Sequence, residues 1–515
     1  MHLTPQPADS LPPWWKGWQG IGALALSLIL LAGGLWYFWP AEEDTSCAPG
    51  VPGLHWAGEG AQRECVGLMD NTTYAFDPQL KGITDRITQE NRRVRQQWEK
   101  PDKGKSRVPY VKVAVLTPMT DSDTSALPMK EIVTSLQGSF IAQCRANGCP
   151  QLPATRSLGI QGKTPQIELV LANEGRDETQ WQPVVKQLAE LTKGEHPLVA
   201  VTGMGVSIPE TQAAADELSR LKIPTIGAVL TATDLNSPRL FKVSPSNVDY
   251  AKALRRFLTE SPLAKQRGYL VFDSRDDNYV KTLRRAFDEE FSDYIGRRRA
   301  SFVGTTGHKP AGIPKLFQRA VNNICLTKTQ VIFYAGRDRD LADFVRALST
   351  RSQCGHDKPI TVMTGATGTF AQGSAVQGLL KANKITIVDA SATSPDQWTS
   401  GVHAPAGFKP FLQALRDLKF DDSVMDDGYA IMHHDAVLTA VWATRNVTGQ
   451  TASEAPDVQD VYNELTNLHD ASTVPAASGE LSFDDASNGW PHNKPIPVIQ
   501  LPDPLKDPEP PYLVP

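Results

Sequence analysis

Several chemistries are missing from this chain of 515 residues. No G-x-G-x-x-G opens a helix after the first apolar strand and no G-x-x-x-x-G-K-[ST] occurs, which excludes a dinucleotide-binding turn and a phosphate-cradling P-loop. GATGTFAQG (365–373) is rich in glycine but lacks the lysine. The absence of a G-x-S-x-G elbow argues against a hydrolase of that kind. Cysteine is scarce, at six, with no C-x-x-C and no His at ligand spacing, so zinc is the weaker reading of these residues. Charge excess is also lacking. A formal net charge of -5 argues against a general nucleic-acid binder, and Arg92–Arg93 and Arg297–Arg299 read as solvated helix faces. Asp421, Asp422, Asp426 and Asp427 lack EF-hand spacing and read as a solvated turn. His433 and His434, ahead of Asp435, read as surface or core-edge histidines. No clustered acid–base constellation, metal or cofactor motif is found, so an enzyme is not expected.

What is present begins with Ile21 to Trp39, an uncharged apolar run. As a helix it would be roughly 28 Å long, close to the ~30 Å hydrocarbon core of a bilayer. Lys16 precedes it and Glu42, Glu43 and Asp44 follow, which places residues 1–20 in the cytoplasm and the rest outside. Trp14, Trp15 and Trp18, then Trp36, Tyr37 and Trp39, suit the two interfaces. A cleaved secretory signal is the alternative; no small-x-small site precedes the acids, which favours an uncleaved anchor over 21–39. Either reading exports the remainder. Cys47, Cys65, Cys144, Cys149, Cys325 and Cys354 all follow the run, and an even count in an exported chain points to disulfides. Their spacing favours 47–65, 144–149 and 325–354, although connectivity is open at this level.

Residues 40–107 read as a juxtamembrane region containing a helix with Leu80, Ile83, Ile87, Val94 and Trp98 on one face. That stripe packs on the following domain or, since Asn91 interrupts it, forms at most a brief self-associating stalk. From Val108 apolar strands alternate with amphipathic helices: strands over 111–119, 167–175, 198–205 and 224–229, then 267–274, 300–306, 330–336 and 359–365. This is the pattern of α/β architecture with two doubly wound parallel sheets covered on both faces. Ligands of such sheets bind beyond the carboxyl ends of the strands.

Four phrases in order carry a resemblance: VAVTGMGVSIPETQAAADELSRLKIPTIGAVLTATDLNSPRLFKVSPSN, YLVFDSRDDNYVKTLRRAF, GYAIMHHDAVLTAVWATRN and SGELSFDDASN. Over about 108–501 the chain resembles the type I periplasmic binding proteins, the Venus-flytrap proteins of branched-chain amino-acid ABC transport. The resemblance implies two interleaved lobes joined by three crossings, placed at 108–262 with 389–473 and at 263–388 with 474–501, followed by a Pro-rich extended tail, 502–515. It carries a first ligand loop onto Gly205, Val206, Ser207 and Thr211, and a second onto Leu230, Thr231 and Ala232. Hydroxyls and amides there hold a carboxylate, as helix N-termini favour anions; an ordinary N-cap is the plain alternative. In the second lobe Tyr279 matches an aromatic that covers the ligand, and Arg337 and Asp338 match a contact loop; a half-buried tyrosine and exposed charges are the plain alternatives. The acid that pairs with a ligand ammonium is missing, since Ala366 and Thr367 stand at its place. Asp276, Asp277 or Asp338 would have to substitute, or Arg337 would favour an acidic ligand. The implied function is a membrane-anchored extracellular solute-binding protein that closes on a small polar solute, for an ABC permease or a membrane sensor. The alternative is a surface interaction module that kept the fold and lost the ligand.

Overall fold

Apolar runs too hydrophobic for a half-exposed strand become buried parallel strands, and they do so twice. The computed structural model describes residues 46–48, 50–60, 63–70, 73–101, 103–153, 160, 164–307, 316–355, 358–365, 374–448, 455–484 and 487–515. The chain divides into Met1–Cys47 and Ala48–Pro515, and the fold described is that of the second unit. The apolar run 21–39 lies outside the described residues; among the described residues no helix is long and apolar enough to cross a membrane.

The first sheet contains β1 (Leu54–Ala57), β2 (Glu64–Met69), β3 (Tyr110–Leu116), β4 (Gln166–Asn173), β5 (Leu198–Gly203), β6 (Thr225–Gly227) and β7 (Leu240–Lys242), ordered β1-β2-β4-β3-β5-β6-β7. Its β3 to β7 are parallel, and the β1–β2 hairpin adds antiparallel at β4. The second sheet contains β8 (Gly268–Asp273), β9 (Arg299–Phe302), β10 (Val331–Ala335), β11 (Ile360–Gly365) and β12 (Ile385–Ala390). A hairpin of β13 (Val474–Ala476) and β14 (Gly479–Leu481) follows, then β15 (Pro495–Ile496) and β16 (Val498–Leu501). The second sheet is ordered β16-β12-β11-β10-β8-β9, with β16 antiparallel.

The described part of region 40–107 within the second unit is not a separate stalk. Its hairpin extends the first sheet, and its helix Lys81–Glu99 packs on that sheet through the residue that seemed to break its seam. Asn91 donates to Leu169 O (2.8 Å) and accepts from Leu169 N (3.1 Å), while Asn147 makes the same pair with Ile167 (2.8 Å each). β2 reaches only Leu171–Asn173 of β4, so these two side-chain amides satisfy the peptide groups that β2 leaves uncovered. Asn91→Leu leaves the Leu169 groups without this partner and is expected to cost about 1–3 kcal/mol. Urea denaturation checks this, and a loss indistinguishable from zero would refute the role.

Helix Met129–Asn147 is buried on nearly every side because it crosses the equally buried helix Tyr429–Thr448. Gly138 makes the crossing possible, since a Cβ there would lie 2.0 Å from Ala430 O. His433 and His434 therefore lie in the core, at 1% and 0% exposure, and are not surface or core-edge groups. The lobe boundaries also move. Helix Asn247–Glu260 places Tyr250, Leu254 and Leu258 in the core of the second sheet, so that crossing precedes 247. The β13–β14 hairpin turns onto Asp435 of the late helix, so it belongs with the first sheet, and only the segment from β15 onward reaches the second. Cys144–Cys149 and Cys325–Cys354 are disulfides, and Cys47 and Cys65 are likewise disulfide-bonded. The tail is held at its end by β17 (Tyr512–Leu513), which pairs with β15.

Candidate functional site

The carboxyl ends of both sheets face one cavity of about 110 Å³, lined from the first lobe by Ser207, Thr231, Glu131 and Asp427 and from the second by Tyr279 and Arg337. Its first wall is the loop after β5. Gly203 and Gly205 have φ of +92° and +52°, and a Cβ on Gly205 would lie 2.2 Å from Glu178 Oε1. Glycine is required because Glu178 is packed directly beneath the loop. Its carboxyl accepts from Val206 N (3.0 Å) and from Thr211 Oγ1 (2.5 Å). Burial pushes the Glu178 carboxyl up to about 8, against the pull of those two hydrogen bonds. The neighbouring Glu174 is also driven well above the usual range, by burial and then by Glu178.

This arrangement sorts the expected ligand residues. Thr211 is used to hold the loop and does not line the cavity. Leu230 is fully buried in the apolar core against Gly227. Ser207 and Thr231 do line the cavity and are joined: Ser207 Oγ accepts from Thr231 N (3.1 Å) and Ala232 N (3.3 Å). An oxygen already accepting two N–H bonds is oriented to donate its own proton.

In the second lobe, Tyr279 Oη donates to Gly365 O (2.6 Å) at the end of β11. The next residue, Ala366, lies outside the described residues, as does Thr367. Arg337 donates through Nε to Asp277 (2.8 Å) and through Nη2 across the cleft to Ser207 O (3.1 Å), with its guanidinium 5.3 Å from the Tyr279 ring centre. Tyr279 N reaches the same carbonyl at 3.2 Å. Asp234 adds a second tie, accepting from Asn278 Nδ2 (3.0 Å) and facing Lys281 Nζ (2.9 Å). The lobes are thus closed on each other through Ser207 and Asp234.

The paired charge on Arg337 removes the argument for an acidic ligand. Asp277 cannot replace the missing acid, because it also caps the Asn278–Glu290 helix; Asp276 is exposed beside Lys281. Asp338 does line the cavity. The acids that sequence reasoning missed are in the first lobe. Glu131 opens the helix after β3, and Asp427 precedes the late helix, accepting from Tyr429 N (2.9 Å) and Thr134 Oγ1 (3.0 Å). Asp427 is not part of a solvated turn. Burial, and after it the charge of Glu131, pushes its carboxyl up to about 7. Position could have found Glu131, which follows the loop after β3, whereas Asp427 joins a short turn to the late helix and no strand directly precedes it.

No protein-family model matches this sequence, and no curated protein matches it. Solved structures do. LivJ, a branched-chain amino-acid transporter substrate-binding protein from Streptococcus pneumoniae str. Canada MDR_19A in complex with isoleucine, aligns at TM-score 0.54 and 19% identity over 76% of this chain and 95% of its own. The leucine-binding protein LivK of Thermotoga maritima MSB8 gives 0.53 and 15%, over 75% and 94%. A solute-binding protein of an ABC transporter from Rhodopseudomonas palustris BisB5, in complex with 3,4-dihydroxybenzoic acid, gives 0.54 and 12%, over 78% and 96%. At such identities the likeness establishes the fold, and the fold is the type I periplasmic binding protein fold expected from the four phrases.

Proposed function

We propose that this chain is a solute-binding protein, tethered by the apolar run 21–39 with its two lobes outside the cell, and that the lobes close on a small amino-acid-like solute for uptake or sensing. One observation carries the reading: Ser207 and Thr231 from one sheet meet Tyr279 and Arg337 from the other around a single cavity. Glu131 and Asp427 supply the carboxylates that Ala366 does not, on the opposite wall from the place the resemblance implies. Ser207 and the loop amides suit the ligand's carboxylate, and Glu131 with Asp427 suits its ammonium. The cavity of about 110 Å³ fits a small occupant held in a closed clamp. Closure then does work only through unequal affinity for the open and closed states. The six cysteines, all after the apolar run and none free, support the exported placement.

Thermal denaturation of the full chain against leucine, isoleucine and hydroxybenzoates tests this. A ligand at a hundredfold excess over Kd stabilises by about 2.7 kcal/mol. An amino acid is expected to stabilise and hydroxybenzoates, which lack the ammonium, are not. Asp427 is protonated below about 7 and cannot then pair with an ammonium, so affinity is expected to rise with pH through that value. Asp427→Asn should weaken binding and flatten the pH profile. In the empty protein the sign is opposite: a carboxyl raised on folding costs stability as pH climbs from its ordinary value through about 7. No stabilisation by any member of a broad solute panel would leave an interaction module that kept the fold.

A further inference from the structure

A second cavity of about 440 Å³ shares no lining residue with the cleft. Its volume falls in the range of small-molecule sites, roughly 300–1,000 Å³. Phe257 on helix Asn247–Glu260, Trp398, Ile496, Val498 and Tyr512 give it apolar and aromatic walls. Its roof is the chain's own tail. Asp503 is fixed by Lys381 Nζ (3.1 Å) and by Gln500 Nε2, which donates to its carbonyl (3.0 Å). At the other end β17 pairs with β15, and Val514 exchanges backbone hydrogen bonds with Asn493 (2.9 Å) and Lys494 (3.0 Å). Between these anchors, 504–511 reads PLKDPEPP, with proline at four of eight positions. Proline has no N–H to bond with the body and holds the chain extended, so the span stays a stiff arch and cannot settle into the space below it. At mid-span His403 Nε2 donates to Pro508 O (3.2 Å).

The charges around this space favour one sign. Among the lining residues, Arg256 is matched by Glu260 at 3.4 Å, and the arch brings Asp507 and Glu509 to the cavity while its one cation, Lys506, does not line it. Aromatic faces beside a surplus of carboxylates over lining cations attract an ammonium. We propose that this cavity binds an apolar molecule bearing a single positive charge, an aryl- or alkylammonium. Its body lies on Phe257, Trp398 and Ile496, and its charge lies toward Asp507 and Glu509. The site does not depend on what the cleft binds.

Benzyltrimethylammonium is the probe, with benzenesulfonate as the anionic control, and titration calorimetry on the full chain is the measurement. The cation is expected to bind about tenfold or more tighter than the anion. Trp398→Ala should abolish binding. Because Trp398 packs on Phe408 and its loss could unfold the chain, the paired change D507N with E509Q on the exposed arch is the second variant. It should erase the preference for the cation with an unchanged melting temperature. Arg337→Ala, in the cleft, should leave binding intact. The proposal is overturned by equal affinity for both probes, by no binding of the cation at millimolar concentration, or by binding that is lost in Arg337→Ala and kept in the arch variant.

Discussion

Asp435→Ala is expected to destabilise the first lobe by about 3–5 kcal/mol, the cost of breaking a buried ionic network by removing one member. Asp435 is fully buried on the late helix. Its Oδ1 receives Ala477 N (2.8 Å) and faces His434 Nδ1 (2.8 Å), and its Oδ2 receives Ser478 N (2.8 Å) and the Ser478 hydroxyl. His434 continues through Nε2 to Arg145 Nη1 (2.7 Å), and Lys494 donates to Ser478 Oγ. One carboxylate therefore fixes the β13–β14 hairpin to the core, and the buried cations Arg145 and Lys494 reach it through His434 and Ser478. Burial alone would raise its pKa, but the hydrogen bonds and charges of His434, Lys494 and Ser478 outweigh burial and hold it below the usual carboxylate value. A carboxyl depressed on folding contributes stability above its unfolded pKa and loses it as pH falls through the folded one. The wild-type chain should therefore show an acid-unfolding limb that the alanine variant lacks. Asp435→Asn keeps the shape but turns an NH2 toward a backbone N–H, and should recover little. Urea denaturation at neutral pH and near pH 4 measures both effects. A loss under about 1 kcal/mol would mean that the network is dispensable.

Sequence periodicity found most of the strands that are buried on both faces, though not β12, and overlooked the β1–β2 hairpin, whose place depends on a distant partner. VIFYA is apolar throughout, and VKVAVL is so except for Lys112, which reaches Asp70, because a doubly covered parallel strand has no wet side. LHWA and ECVGLM alternate little and surround a glycine-bearing turn, so nothing local announces that they extend a sheet. Polarity misled at the other positions. Asn91, His433, His434 and Asp427 are polar by composition and buried by tertiary contact, and a scale that scores side chains one at a time places them outside. The candidate cleft was legible through the resemblance, which named Ser207, Thr231 and Tyr279, all of them lining the cavity. It was not legible at Thr211 and Leu230. Leu230 sits beside the lining residue Thr231 and Thr211 one helical turn after Ser207, but both turn toward the interior, Thr211 to Glu178 and Leu230 to Gly227. Sequence adjacency carries no record of which way a side chain turns out of a loop.

Arg337→Ala should loosen the clamp without dismantling either lobe. The guanidinium spans the cleft: one nitrogen holds Asp277 within the second lobe, and another holds Ser207 O of the first. A hydrogen bond from a charged donor contributes about 1.5–3 kcal/mol, so its loss should shift the closed-to-open ratio about 10- to 100-fold toward open. The amide of Tyr279 reports this directly, since its N–H ends on the same Ser207 carbonyl and exchanges with solvent when the lobes part. Hydrogen exchange there should accelerate by that factor, while amides inside β3 and β10 keep their rates. The variant also strips Asp277 of its counter-charge at 6% exposure, a separate stability cost of about 2–5 kcal/mol. Pairing Arg337→Ala with Asp277→Asn separates the two effects. The asparagine can still cap the Asn278–Glu290 helix but carries no charge, so stability should return while Tyr279 exchange stays fast. Arg337→Lys should restore the charge but not the two-ended reach, because a single ammonium has no planar fork to span both acceptors. Unchanged exchange at Tyr279 in Arg337→Ala would mean that the remaining ties, Asp234 with Asn278 and Lys281, and Gly307 N on Thr124 O (2.7 Å), suffice to hold the lobes together.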